Sequence, residues 1–102
     1  SLDSPSHFLY ATALDVCTQA LEYEKAWELW DELPETSHMP AQVGVYNMMI
    51  KMCRRLKRLR DAQQLFDAMQ RKGLEPSIIT YSEMIQAHGL HGLWEEAREL
   101  LN

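Results

Sequence analysis

The sequence predicts an all-α fold, a solenoid of stacked helix-turn-helix units, and three observations carry that expectation. The chain repeats itself at a step of 35 to 36 residues. Within each copy the apolar residues recur with helical spacing, and proline and glycine fall where such helices must stop. Shifting the first copy by 36 superimposes Tyr10 on Tyr46, Cys17 on Cys53, Ala26 on Ala62, Leu29 on Leu65, Trp30 on Phe66, Asp31 on Asp67 and Pro40 on Pro76. A further shift of 35 carries Tyr46 to Tyr81, Ile50 to Ile85, Ala62 to Ala97 and Leu65 to Leu100. Self-similarity at this period is the mark of a repeat array.

The units read as 7–42, 43–77 and 78–102, within one domain spanning 1–102. In the first, Tyr10, Ala13, Leu14 and Cys17 recur at i, i+3, i+4 and i+7, and Ala26, Leu29, Trp30 and Leu33 do the same. That spacing puts four apolar side chains on one helical face. Pro34 is expected to end the second helix, and Pro40 to mark the connection into the next unit. The second unit has Tyr46, Met49, Ile50 and Cys53, then Ala62, Leu65, Phe66 and Met69. Gly73, following Arg71 and Lys72, reads as a helix C-terminal stop, and Pro76 as the next connection. Thr80 and Glu83 have the spacing of a capping box for the third unit, whose stripes are Tyr81, Met84, Ile85, His88 and then Ala97, Leu100, Leu101. This last unit ends at Asn102, short of its counterparts, and reads as truncated. A unit with one apolar face is stable only against a neighbour, so the three are expected to stack.

At 102 residues, 46% apolar and 25% charged, the chain has the composition of one folded domain. No apolar run reaches the roughly 18 residues of a membrane span, and no targeting segment is visible after Ser1, so a soluble domain is expected. Two cysteines, Cys17 and Cys53, are too few for a disulfide framework, and as equivalent positions one repeat apart they read as separate buried thiols. The net charge of −5 hides an asymmetry: residues 1–42 sum to −7, 43–77 to +5 and 78–102 to −3.

The stretch Val43-Gly44-Val45-Tyr46-Asn47-Met48-Met49-Ile50, the run from Asp61 to Met69 and the close at Gly73-Leu74-Glu75-Pro76-Ser77 resemble a pentatricopeptide repeat. Ile79-Thr80-Tyr81-Ser82 and the run from Trp94 to Leu101 follow the same pattern. The 35-residue step, the Tyr-Asn pair and the proline before the next unit favour this family over the tetratricopeptide class, whose step is about 34. The resemblance implies a right-handed αα superhelix whose first helices line a groove. There single-stranded RNA is read at about one base per repeat by a unit's fifth residue and its closing residue. It assigns Asn47 with Ser77 to the second unit, implying a pyrimidine, cytosine first. Ser82 in the third unit implies a purine, with its closing partner beyond Asn102; Ala11 with Gln42 in the first departs from the readable pairs. The wedge position holds Gly44 in the second unit and Phe8 and Ile79 in the others. The glycine expected between paired helices is Gly92 in the third unit but Lys57 and Leu21 in the others.

Lys51, Arg54 and Arg55 follow Asn47 by four, seven and eight residues and so continue down its face, where cations can meet RNA phosphates. The repeat-equivalent positions are Asp15, Thr18 and Gln19, then Gln86, Gly89 and Leu90, so the basic patch is one repeat wide. Three phosphates engaged would give a log–log salt slope near about −2. The same patch also reads as a solvated face, and Lys57, Arg58 and Arg60 as partners for acidic residues. His88 and His91 invite a metal, but His88 occupies the cysteine slot and reads as packed. Trp27, Trp30 and Trp94 read as packing residues, Trp27 as the most exposed. No phosphate loop, nucleophile elbow or catalytic carboxylate pair appears, so neither an enzyme nor a cofactor or small-molecule substrate is expected. The functional expectation is RNA binding through Asn47, Ser77, Ser82, Lys51, Arg54 and Arg55, in a mitochondrion or plastid as the resemblance implies. The alternative is a scaffold subunit gripping other proteins in a large organellar assembly, a ribosome or a bioenergetic complex.

Overall fold

Five helices succeed one another in the computed structural model, which describes residues 5–88 and residue 98. They are α1 (Pro5–Gln19), α2 (Tyr23–Glu32), α3 (Met39–Arg55), α4 (Leu59–Arg71) and α5 (Ile78–His88). α1 packs on α2, α3 on α4, and the first helices of successive units pack side by side, α1 on α3 and α3 on α5. Among the described residues no Cα of α2 comes within 8 Å of a Cα of α4, so the second helices splay while the first helices close up. Side chains bridge the wider gap: the Tyr23 hydroxyl donates to Asp61, and the Arg58 guanidinium lies 4.2 Å from the Tyr23 ring centroid. The result is an all-α solenoid with the first helices as one layer. Of the second helix of the third unit only Arg98, helical and exposed, is described; Ala97, Leu100, Leu101, Trp94, His91 and Gly92 lie outside the described residues.

The apolar stripes account for the packing. Tyr46, Met49, Ile50 and Cys53 of α3, and Ala62, Leu65, Phe66 and Met69 of α4, are all buried. Leu14, Cys17, Ala26 and Met84 extend the same core to the neighbouring units. Each large apolar side chain so enclosed contributes about 1.5–3 kcal/mol. The repeat also operates at the level of single contacts. Trp30 meets Tyr46 edge-on at 4.7 Å, and one step later Phe66 meets Tyr81 edge-on at 5.7 Å. Tyr10, which leads the first unit, instead donates its hydroxyl to Glu32. Trp27 and Trp30 are both half-buried, and Trp27 makes edge-on contacts to Tyr23 at 6.3 Å and Trp30 at 6.5 Å.

The turns that follow α1, α3 and α4 share one geometry. After α4, the Leu74 N–H donates to Met69 O and the Gly73 N–H to Gln70 O, with Gly73 at φ +83°. This is a Schellman close, which needs a left-handed residue after the cap. The same bond pair closes α1 through Leu21, at φ +60°, and α3 through Lys57, at φ +62°. Those are the slots where the repeat pattern expects glycine, and here β-carbon-bearing residues hold the strained conformation.

Two punctuation signals shift. Pro40 lies in the first turn of α3 rather than in the connection, a place where its missing N–H costs nothing. The cap of α5 is formed by Ser77 and Thr80, not Thr80 and Glu83: Ser77 Oγ accepts from the Thr80 N–H at 3.3 Å, and Thr80 Oγ1 accepts from the Ser77 N–H at 3.0 Å. Glu83, three residues further on, turns to Arg54.

Candidate nucleic-acid interface

The seam between α3 and α5 gathers the residues that the sequence singles out most strongly. Helical spacing sets Val43, Gly44 and Asn47 along one side of α3, and the cap of α5 brings Ser77 to meet them. Asn47 Nδ2 donates to Ser77 Oγ at 3.3 Å, although the two are 30 residues apart. Thr80 Oγ1 donates to Asn47 Oδ1 at 2.5 Å, and the two hydroxyl oxygens of Ser77 and Thr80 lie 3.1 Å apart. Asn47 and Ser77 open onto a recess of about 530 Å³ whose other walls include Met39, Pro40, Val43 and Ile79, with Gly44 and Glu75 completing it. Ile79 and Met39 are 61% and 51% exposed, so apolar surface is left uncovered beside a polar pair. A flat, hydrogen-bonding ring is the chemistry that matches such a recess. An added Cβ at Gly44 would meet nothing within 4 Å, so the side chain's absence leaves open space there.

The basic residues divide between two seams. Lys51 and Arg55 are exposed and line a smaller recess of about 230 Å³ between α1 and α3, with Asp15, Thr18, Gln19, Met48 and Met52. Their repeat-equivalents in α1 thus lie across from them, and Asp15 brings a negative charge to the same recess. Arg54 points to the other side, where its Nε donates to Glu83 Oε1 at 2.6 Å; the two side chains are only 22% and 11% exposed. That pair ties α3 to α5 next to the polar cluster. Ser82, exposed on α5, accepts from Gln86 and does not line the recess.

Burial pushes the Cys53 thiol up to about 12, so it stays protonated and unreactive at neutral pH. Cys17 is also a buried thiol. His88 Nε2 is enclosed without a hydrogen-bond partner among the described residues, consistent with packing. Among the described residues, no group of three or more His, Cys, Asp or Glu is placed to hold a metal ion, and no helix is long and apolar enough to cross a membrane. Sequence reasoning missed Thr80 as a member of the site. The available signal was Ser77 lying three residues before it, directly after Pro76.

Hairpins that repeat both their core contacts and their turn geometry define a helical-repeat module with a groove-lining layer of first helices. The PPR repeat family model matches residues 41–89, and the PPR repeat model matches 8–36 and 79–102. The chain belongs to the pentatricopeptide repeat family. It is 26% identical over 96 residues to a pentatricopeptide repeat-containing protein of Arabidopsis thaliana and 23% identical over 96 residues to a chloroplastic one from the same plant. It is 30% identical over 79 residues to a mitochondrial 15S rRNA processing factor of Kluyveromyces lactis. These matches take in 94%, 94% and 76% of this chain but only 18%, 19% and 9% of the relatives.

Proposed function

We propose that the chain is an RNA-binding segment of an organellar repeat protein, reading one base of a single strand at the α3/α5 seam. The observation that carries this is the pairing of Asn47 with Ser77 at the mouth of an apolar recess. Stacking on apolar and aromatic side chains and edge hydrogen bonds are how proteins hold unstacked RNA bases. In this reading Ile79 supports the face of the base, Asn47 meets its edge, and Lys51 and Arg55 contact the flanking phosphates. Arg54, already engaged by Glu83, contributes its remaining guanidinium donors. Ser82 is proposed for the following base. The role is binding without catalysis, and the names of the chloroplastic and mitochondrial relatives support an organellar location.

Fluorescence-anisotropy titration with short single-stranded RNAs tests this. With two exposed cations engaged, log affinity should fall with log salt at a slope near about −1.4. Lys51→Glu with Arg55→Glu should abolish that dependence and most of the binding. Salt-insensitive or absent binding in the parent chain would contradict the reading. A second reading, a protein-gripping scaffold, draws support from α1, where Phe8, Leu9 and Val16 are 72%, 66% and 61% exposed. Stoichiometric copurification with a protein complex that survives ribonuclease treatment would favour it.

A further inference from the structure

We propose that Thr80 is a positioning residue for base recognition, and that in the Asn47–Ser77–Thr80 cluster only Asn47 has hydrogen-bonding capacity left for the base. The inference rests on the RNA reading above and deepens it. It comes from counting donors and acceptors.

A hydroxyl has one proton and two lone pairs. Thr80 gives its proton to Asn47 Oδ1. Its lone pairs are taken by the Ser77 N–H, at 3.0 Å, and by the Ser77 hydroxyl, at 3.1 Å, which has to be the donor in that contact because the Thr80 proton is already committed. Ser77 Oγ in turn accepts from Asn47 Nδ2 and from the Thr80 N–H, both at 3.3 Å. The three side chains therefore form a closed ring, Asn47 to Ser77 to Thr80 and back to Asn47, in which both hydroxyls are saturated. Reversing the ring saturates them equally. The Asn47 carboxamide keeps one N–H and one oxygen lone pair, which is the equipment for meeting an adjacent acceptor and donor on a base edge. Hydrogen bonds in a ring polarise one another, and this one holds the amide plane still. Thr80 is fully enclosed, 0% exposed, so it fixes Asn47 from behind without touching ligand. The closing residue Ser77 accordingly acts through Asn47 as well.

The test compares four short RNAs that differ at one base, titrated against the chain and against Thr80→Val, Thr80→Ser, Ser77→Ala and the Thr80→Val/Ser77→Ala pair. Thr80→Val and Ser77→Ala should each shrink the preference among the four RNAs by about fivefold, the worth of one ordinary hydrogen bond. The pair should do no more than either single change, since one break opens the ring. Thr80→Ser should keep the preference, and the salt slope should stay unchanged throughout. A preference that survives Thr80→Val overturns the Thr80 role while leaving the RNA reading intact; additive losses overturn the ring. A parent chain with no preference among the four RNAs overturns the RNA reading, and the recognition role with it. The ring is checked separately, without RNA and without a variant, by NMR of the Asn47 side-chain amide. One solvent-protected Nδ2 proton in the parent chain, the one given to Ser77, supports the ring, and two fast-exchanging protons overturn it whatever the RNA result.

Discussion

The two seams that flank α3 have the same backbone plan and opposite chemistry. Between α3 and α5 lie Asn47, Ser77, Thr80 and the Arg54–Glu83 pair. One repeat earlier, the corresponding residues are Ala11, Gln42, Val45, Thr18 and Met48. Val45 is buried in the core, and Thr18 turns its hydroxyl to Asp15 O on its own helix. Gln42 sends its amide away to Thr36 O at 2.8 Å. The comparison teaches that the repeat specifies position, while a handful of side chains decide whether a seam carries a cross-linked hydrogen-bonding cluster or a recess lined by separate charges. The stack itself depends on the stripes and the turns, which both seams share.

The largest effect is expected at high pH. The Cys53 thiol has a folded value of about 12 against an ordinary 9.0, because burial disfavours the thiolate. The proton is held more tightly in the folded chain, so this contribution is complete below pH 9 and is lost as pH rises towards 12. The loss amounts to at most about 1.4 kcal/mol per pH unit. Urea denaturation at stepped pH should show a shallower decline in Cys53→Ala than in the parent chain. Equal slopes would remove the thiol from the account.

Next comes the ion pair. Arg54→Ala leaves a Glu83 carboxylate whose side chain is only 11% exposed without its partner, at a cost of about 2–3 kcal/mol once partial solvation is allowed for. Thr18→Ala, the counterpart in the first seam, removes one local hydrogen bond and should cost less than about 1 kcal/mol. Chemical denaturation of the two variants side by side checks whether the seams differ as described.

The turns offer a smaller effect of opposite sign. Lys57 is exposed at φ +62°, so Lys57→Gly should stabilise the chain by about 1 kcal/mol. Leu21→Gly relieves the same strain but strips away a half-buried side chain packed on the core, so no net gain is expected. Smallest is Gly44→Ala, which replaces a helix-interior glycine where nothing obstructs a Cβ, for a gain of about 0.5–1 kcal/mol in thermal or chemical unfolding.

Much of this was legible in the amino-acid order, and the line between what was and was not has a physical cause. The buried faces of α3 and α4 follow from helical period alone, and the repeat shift makes the Trp30–Tyr46 and Phe66–Tyr81 contacts equivalents of each other once one is seen. The glycine slots were visible too, though not that Leu21 and Lys57 would accept left-handed backbone there. What local spacing did not contain was any partner brought in from another unit. The rings beside Trp27 are different in kind: Tyr23 lies four residues before it and Trp30 three after it on α2, where helical spacing alone sets them side by side. Arg54 looked like one of three equivalent cations because Glu83 is 29 residues away in the chain. Thr80 and Glu83 fitted a cap by spacing, but Ser77, already held by Asn47, provides the oxygen that caps α5.

The most direct test of the contrast between seams uses the two side-chain amides as reporters. In NMR spectra of the chain titrated with a short cytosine-containing single-stranded RNA, the Asn47 side-chain signals should shift and saturate while those of Gln42 stay in place. Equal movement of both, or movement of Gln42 with Asn47 unchanged, would contradict the claim that the α3/α5 seam is the one equipped to read a base.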